Sequence, residues 1–273
     1  MTGLLGLLAL AAGCLLGAPR LLRLRASAVR RPRLLLAAWL AVFLLGAAAI
    51  AGSVLWSVVL AVAAHTAPVD AGWVAGVLAW GALTITGAVA ALVLTRAEPM
   101  HAGREAAARD LDLLAAACTD RVDTIGAVQV LTVRAARPVA FSSTVDGGRI
   151  VVTSALVAAL TRGELRAVLE HERAHLTSRH DALLRIARLN RACVPVLFGA
   201  RAFDQAVHLL VELAADDAAA RICGASTLAA ALRRTDELEP NEWASIRAAR
   251  LEAVPRPRSA RDATVRKGLL YKL

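Results

Sequence analysis

Lysine is almost missing from this sequence. Lys267 and Lys272 are its only lysines, so arginine supplies nearly all of the net charge of +10. Aromatic residues are also scarce, at 4% of the chain, and no RNP motif, zinc-finger spacing or helix-turn-helix pattern is present. The basic charge therefore does not indicate nucleic acid. The arginines flank apolar runs, so we expect anionic lipid at a bilayer surface to be their partner.

Cysteine is sparse as well, and its four residues are far apart in the sequence, at Cys14, Cys118, Cys193 and Cys223. They form no C-x-x-C pair, so neither a disulfide framework nor a cysteine-ligated zinc site is expected. Free, partly buried thiols are the simpler interpretation.

Charged residues are missing from three long runs in the first third of the chain. Hydrophobic residues make up 58% of the sequence, and most of this excess lies before Thr95. The runs predict transmembrane helices over about residues 2–18, 35–62 and 72–95, and the second exceeds the ~20 residues that a bilayer core requires. The first run lacks the positive segment that precedes a signal-peptide core, which favours an uncleaved span.

Arginine also predicts the orientation of the three spans. The connection between the second and third spans carries only Asp70 as a charged residue, whereas six arginines separate the first two: Arg20, Arg23, Arg25, Arg30, Arg31 and Arg33. Because positive loops stay in the cytoplasm, everything after Arg96 is expected there too. The sequence thus predicts a multi-pass protein of the cell membrane, of the bacterial inner-membrane type.

The remainder of the chain combines strand and helix signals. Val128–Val133 and Arg149–Thr153 are β-branched runs, and Val139–Ser143 is a candidate third strand. The segment 104–117 is rich in alanine and predicts a separate helix. Thr161-Arg-Gly-Glu164 has capping-box spacing, and an apolar stripe at helical period follows it.

That helix contains His171-Glu172-Arg-Ala-His175. Residues four apart share a helix face, so the two imidazoles can bind one metal ion. Glu172 follows the first ligand and can reach a water molecule on the metal, which is where a general base is needed. The competing interpretation is a solvated helix with a polar face.

A catalytic zinc site needs a third protein ligand. The predicted helix over residues 204–223 presents His208, Glu212 and Asp216 on one face. Glu212 is the best third ligand, and Asp216 the best carboxylate to orient a ligand imidazole. His208 is either a hydrogen-bond donor to an oxyanion or a residue at the rim, and the second is favoured. His65, His101 and His180 have no partner at ligand spacing, so we expect surface or interface roles for them.

Three segments carry a family resemblance: Gly148–Leu156, Glu164–His175 and Glu212–Asp216. They resemble the membrane gluzincin peptidases, most nearly the BlaR1/MecR1-like family (M56), with the HtpX/Ste24 family (M48) as its relative. The resemblance implies zinc at His171, His175 and Glu212, with Glu172 as base. In those sensors a fourth span and an extracellular penicillin-binding domain follow, which no segment after Cys223 matches. We therefore expect a short member that does not itself bind β-lactams.

The expected fold is mainly α: three transmembrane helices (1–95), then a cytoplasmic α+β zinc peptidase domain with a small sheet (96–224), then a helical extension with a basic tail (225–273). The expected function is zinc-dependent cleavage of a cytoplasmic or membrane-proximal protein. A transcriptional repressor is a candidate substrate, and a separate sensor or repressor a candidate partner. The alternative is a proteolytically silent scaffold or regulator. A transporter is disfavoured because residues 34–64 contain no ionisable group.

Overall fold

The computed structural model describes residues 2–22, 31–64, 72–144, 147–240 and 242–253. Its helices are α1 (Thr2–Leu21), α2 (Pro32–Ala64), α3 (Gly72–Cys118), α4 (Ser154–Ala159), α5 (Arg162–Thr177), α6 (His180–Cys193), α7 (Phe198–Cys223), α8 (Ala225–Leu238) and α9 (Glu242–Ala253). Its strands are β1 (Thr119–Ile125), β2 (Val128–Val133), β3 (Ala140–Ser143) and β4 (Arg149–Thr153). Arg23, Arg25, Arg30, His65, Asp70 and the basic tail from Pro255 lie outside the described residues.

The three predicted spans are helices. Gly3–Leu21, Pro32–Leu60 and Trp80–Ala107 are each long and apolar enough to cross a membrane. A small sheet and further helices follow them, so the predicted fold class is confirmed.

The third of these helices is longer than the sequence predicted. Residues 72–95 and 104–117 were expected to form two helices, yet α3 runs without a break from Gly72 to Cys118, with Pro99 inside it. A proline inside a helix removes one backbone hydrogen bond and clashes with the preceding turn, which kinks or breaks the helix. Here the helix continues through it. β1 begins at the next residue, Thr119.

The four strands form one sheet in the order β1-β2-β4-β3. The three predicted strands are present, and β1 adds a fourth. β4 is the most buried strand, with Ile150, Val151 and Val152 almost fully covered. β3 lies at one edge of the sheet. Thr153, at the end of β4, accepts a hydrogen bond from the backbone N–H of Leu156 and caps α4.

The capping box at the start of α5 is confirmed. The Glu164 carboxylate accepts a hydrogen bond from the backbone N–H of Thr161 at 2.9 Å, and the Thr161 hydroxyl accepts one from the backbone N–H of Glu164 at 3.3 Å. The Thr161 hydroxyl also donates to the Glu164 carboxylate at 2.8 Å. The bonds that the carboxylate accepts from Thr161, first from the backbone N–H and then from the hydroxyl, lower the pKa of Glu164. A tight turn through Arg179, in the left-handed conformation, then leads directly into α6.

The described chain forms two compact units. One consists of the described residues within Met1–Thr119, Ser143–Arg149 and His175–Ala215, and the other of those within Asp120–Ser142, Ile150–Ala174 and Asp216–Leu273. Because the division falls within them, α5 and α7 contribute residues to both units.

The core of the first unit joins apolar helices to α6 and α7. It contains Ala18, Leu36, Trp39, Ala187, Phe203, Ala206, Val207, Leu210 and Val211. The ring of Phe203 stacks on that of Phe43 with centroids 4.8 Å apart, and its centroid lies 6.1 Å from that of Trp39. α7 is thus held by residues of the second predicted span.

The core of the second unit is built by α5, α7, α8 and α9. It contains Ala167, Ala219, Leu228, Ala229, Ala248 and Leu251. Alanine dominates this cluster, which allows the helices to approach closely. The packing brings α9, predicted only as part of an extension, against the helix of the H-E-x-x-H motif.

Candidate metal centre

Helix α5 positions the first two candidate ligands. His171 and His175 lie four residues apart in one continuous helix, so their side chains project from the same face. His171 is buried, whereas His175 and Glu172 between them are half-buried. The face of α5 that carries the motif is therefore partly shielded from water.

Within the first unit, His175 has two polar neighbours. Its Nε2 atom lies 3.5 Å from Oε1 of Glu212 on α7, and its Nδ1 atom lies 3.1 Å from Nδ1 of His180. The two imidazole rings meet edge to face, with centroids 4.9 Å apart. His180 is 3% exposed, so of the surface or interface roles expected for it, the surface role is ruled out. It lies against His175 because only two residues separate the end of α5 from the start of α6, and Arg179 between them is in the left-handed conformation.

Within the second unit, His171 contacts Asp216 on α7. The His171 Nδ1 atom lies 3.0 Å from Oδ1 of Asp216, whose side chain is completely buried. Arg247 of α9 donates two further hydrogen bonds to the same carboxylate, from Nε to Oδ2 at 2.8 Å and from Nη2 to Oδ1 at 2.6 Å. This fork geometry fixes the carboxylate on the His171 imidazole.

These contacts keep Asp216 ionised. Burial favours the neutral acid, but the hydrogen bonds from Arg247 and His171 outweigh it and hold the pKa of Asp216 well below its usual range. With Asp216 accepting the Nδ1 proton of His171, the lone pair of Nε2 is the one that can bind a metal. In this structure Nη2 of Arg247 lies 3.3 Å from that Nε2 atom.

The donor set fits zinc. His171, His175 and Glu212 are the described residues that could hold a metal ion together. Two imidazoles and one carboxylate form a known catalytic zinc set with a fourth position open for water. Each imidazole also has a polar group at its Nδ1 atom, as ligand histidines usually do.

The sequence did not predict that Arg247 and His180 lie around this centre. Arg247 belongs to a helix of mixed composition and lies 31 positions from its partner Asp216, so no local spacing signals the contact. His180 has no histidine or carboxylate at ligand spacing, and only the sharp turn before it could have indicated its contact with His175.

His208 lies one turn before Glu212 on α7. Its Nδ1 atom is 2.9 Å from the backbone oxygen of Asp204 and 3.4 Å from the Asp204 carboxylate, and its side chain is 44% exposed. The ring is thus tied to its own helix, which agrees with a position at the rim. Its role as an oxyanion donor stays a prediction.

Comparison with known proteins adds the family. A family model for peptidase family M48 matches residues 106–260, more than half of the 273-residue chain. The chain belongs to peptidase family M48. The match covers all four strands and the helices α4 to α9, so the M48 region includes Arg247 as well as the H-E-x-x-H helix. Members of this family are zinc metallopeptidases. No curated protein and no solved structure matches the chain.

Proposed function

We propose that this M48 member is a membrane-bound zinc endopeptidase with His171, His175 and Glu212 as metal ligands and Glu172 as general base. The observation that supports it best is the paired arrangement of the two histidines. Each has a polar group at Nδ1, and His175 has Glu212 beside its Nε2 atom. A polar helix face that merely binds water does not require two buried partners at both Nδ1 atoms.

The residues divide the chemistry among them. A zinc ion held by the three ligands would polarise the scissile carbonyl and lower the pKa of a water molecule. Glu172, next to a ligand but not itself one, accepts the proton of the attacking water and passes it to the leaving amine. Asp216, held by Arg247, keeps His171 in the tautomer and orientation that present Nε2.

The sheet offers a place for an extended substrate. Peptidases can bind an extended substrate as an added strand, which requires a strand at the edge of the sheet. β4 lies between β2 and β3 and has neighbours on both sides, whereas β3 is an edge strand. We therefore assign the substrate-pairing role to β3 (Ala140–Ser143), because a strand at the edge of a sheet can be extended by an added strand.

The substrate belongs to the proposal too. The resemblance to the BlaR1/MecR1-like family favours a cytoplasmic or membrane-proximal protein, such as a transcriptional repressor, and a separate sensor as partner. A comparison of membrane and cytoplasmic proteomes of cells with the parent chain or with Glu172→Gln identifies it. The substrate is expected to accumulate uncleaved in the variant.

A pair of substitutions tests the division of labour at the metal. Glu212→Gln weakens a charged ligand and is expected to lower zinc occupancy. Glu172→Gln is expected to keep zinc and lose activity by about 100-fold or more. Zinc is measured by plasma mass spectrometry and activity on the accumulated substrate, with Glu237→Gln on an exposed face of α8 as the control. Zinc in the parent without any cleavage would favour the silent-scaffold alternative. Loss of zinc in Glu172→Gln but not in Glu212→Gln would reverse the assigned roles.

The membrane topology is proposed from the arginine distribution. The N-terminus is expected outside and residues from Arg96 onward in the cytoplasm of a bacterial cell. Separate fusions of alkaline phosphatase and a fluorescent protein to Leu273 test this orientation. Fluorescence without phosphatase activity supports it, and the opposite result overturns it.

A further inference from the structure

An open cavity of about 510 Å³, closer to a surface groove than to an enclosed chamber, lies in the first unit among α3, α6 and α7. Its lining contains Arg96, Arg188, Arg191, Asp204 and His208, together with Ala192 and Pro195. Three arginines and one carboxylate thus line it. Such a surplus of positive charge in a concave site favours an anionic ligand.

Two of the three arginines are available to a ligand. Arg191 Nη1 donates to Asp204 Oδ2 at 2.9 Å, so its charge is partly neutralised. Arg96 and Arg188 have no carboxylate within 4 Å in the described part of the chain, and both are exposed. Guanidinium groups present several N–H donors in a plane, which suits the oxygens of a phosphate group.

Exposed apolar side chains lie next to the lining residues in two parts of the chain. Arg96 directly follows the apolar part of α3, where Leu94 is 69% exposed. Pro195 lies in the connection from α6 to α7, where Val196 is 84% exposed, and Phe198 at the start of α7 is 72% exposed. Large apolar side chains at such exposure are expected against lipid chains rather than water.

The start of α7 lies beside the middle of the apolar helices. Phe203 stacks on Phe43, which is roughly 16 Å along α2 from Pro32 at 1.5 Å per residue. Gly199 approaches α1 so closely that an added Cβ atom would be 2.6 Å from the carbonyl oxygen of Leu15. The α6–α7 connection therefore reaches the depth of the acyl chains if α1 and α2 span the bilayer.

We propose that this cavity binds the phosphate group of an anionic phospholipid, with Arg96 and Arg188 as the main donors and Arg191 held in place by Asp204. The acyl chains lie along Leu94, Val196 and Phe198. The inference rests on the proposed membrane placement of α1–α3, but on neither zinc nor proteolysis. An acidic peptide would satisfy the arginines but not the exposed apolar side chains, so a lipid fits both halves of the site.

The test uses the full chain in detergent, with a chelator present so that the metal centre does not contribute. Dioleoyl phosphatidylglycerol or dioleoyl phosphatidylcholine is titrated in, and bound lipid is counted by native mass spectrometry. Arg96→Gln/Arg188→Gln is compared with Arg109→Gln/Arg185→Gln. The control pair removes the same charge from the same two helices at positions that do not line the cavity. Thermal unfolding confirms that each variant is folded, and the single variants replace the double one if it is not.

The parent and the control pair are expected to bind phosphatidylglycerol in preference to phosphatidylcholine. The cavity variant is expected to bind it about tenfold more weakly, or worse, because each arginine near a lipid surface contributes measurably to anionic-lipid affinity. Equal loss in both double variants would show that only net charge matters and would overturn the site. If inorganic phosphate raises the thermal unfolding temperature of the parent as much as phosphatidylglycerol does, the cavity binds a soluble anion and the lipid proposal is overturned. Equal binding of the two lipids would overturn it as well.

Discussion

Arg247 offers the sharpest test of how the metal centre is held together. Its two hydrogen bonds reach a carboxylate that is 0% exposed, and its own side chain is only 10% exposed. Replacing Arg247 by methionine removes both bonds but keeps much of the apolar volume of the stem. Asp216 then stays buried with His171 as its remaining polar neighbour among the contacts described above.

The expected cost is large because the carboxylate cannot be rehydrated without opening the core. Breaking a buried ion pair from one side typically costs about 3–5 kcal/mol. For a chain of this size each kcal/mol shifts the midpoint of thermal unfolding by about 2–4 °C. Arg247→Met is therefore expected to lower Tm by roughly 6–20 °C. Arg233→Met is the matched control. It breaks an ion pair between α8 and α9 whose partners are 56% and 40% exposed, and costs at most about 1 kcal/mol.

Tryptophan fluorescence during heating in detergent measures these shifts, with a chelator present so that zinc binding does not add to stability. The double variant Arg247→Met/Asp216→Leu removes both charges and is expected to recover most of the lost Tm, because apolar replacement of a whole buried pair is often close to neutral. A single variant no less stable than Arg233→Met would refute the reasoning. A double variant as unstable as the single one would also refute it.

Two further predictions concern neighbours of the centre and of the apolar helices. His180→Phe is expected to weaken zinc binding about tenfold, because it removes the polar group at Nδ1 of a ligand histidine. The control variant His101→Phe on α3 is expected to leave zinc affinity unchanged. If a competitive chelator titration gives the His180→Phe and His101→Phe variants the same zinc affinity, the role of His180 is contradicted. Gly199→Ala is expected to lower the free energy of unfolding by about 1–3 kcal/mol, because its Cβ atom would overlap the Leu15 carbonyl. Gly103→Ala, with open space around it, is expected to raise the free energy of unfolding by up to about 1 kcal/mol. A higher Tm for Gly199→Ala than for Gly103→Ala would contradict the close packing at Gly199.

Much of the fold could be predicted because its signals are local. Uncharged runs predict the apolar helices, and the Thr161–Glu164 spacing predicts the start of α5. β1 was missed since Thr119–Ile125 contains two aspartates and an arginine and is largely exposed, so it shows no clean apolar alternation. Two helices were predicted over residues 72–95 and 104–117, yet Ala97, Glu98 and Met100 between them favour helix, and α3 continues across this segment and through Pro99.

In the candidate metal centre too, the residues with a local sequence signal were predicted and the others were not. H-E-x-x-H and the spacing of Glu212 and Asp216 follow helical periodicity, so the sequence alone singles them out, and their roles as ligands and base stay predictions. Arg247 and His180 reach the centre through tertiary packing and a left-handed turn, which no local pattern encodes. The sequence thus indicates the groups that would touch the metal more readily than the groups that orient them.

The shared core of the first unit has a practical consequence for protein engineering. Phe203, Val207 and Val211 of α7 pack with Leu36 and Trp39 of α2, so the helix that carries Glu212 is covered by the membrane part of the chain. A fragment that begins after the apolar helices would present this stripe to water, and each uncovered large side chain would forfeit roughly 1.5–3 kcal/mol of burial. Detergent or a designed helical pair that replaces α1 and α2 must therefore accompany the peptidase region during purification. The apolar helices act as part of the fold of this enzyme, and exchanging them for an unrelated anchor would remove one wall of its core.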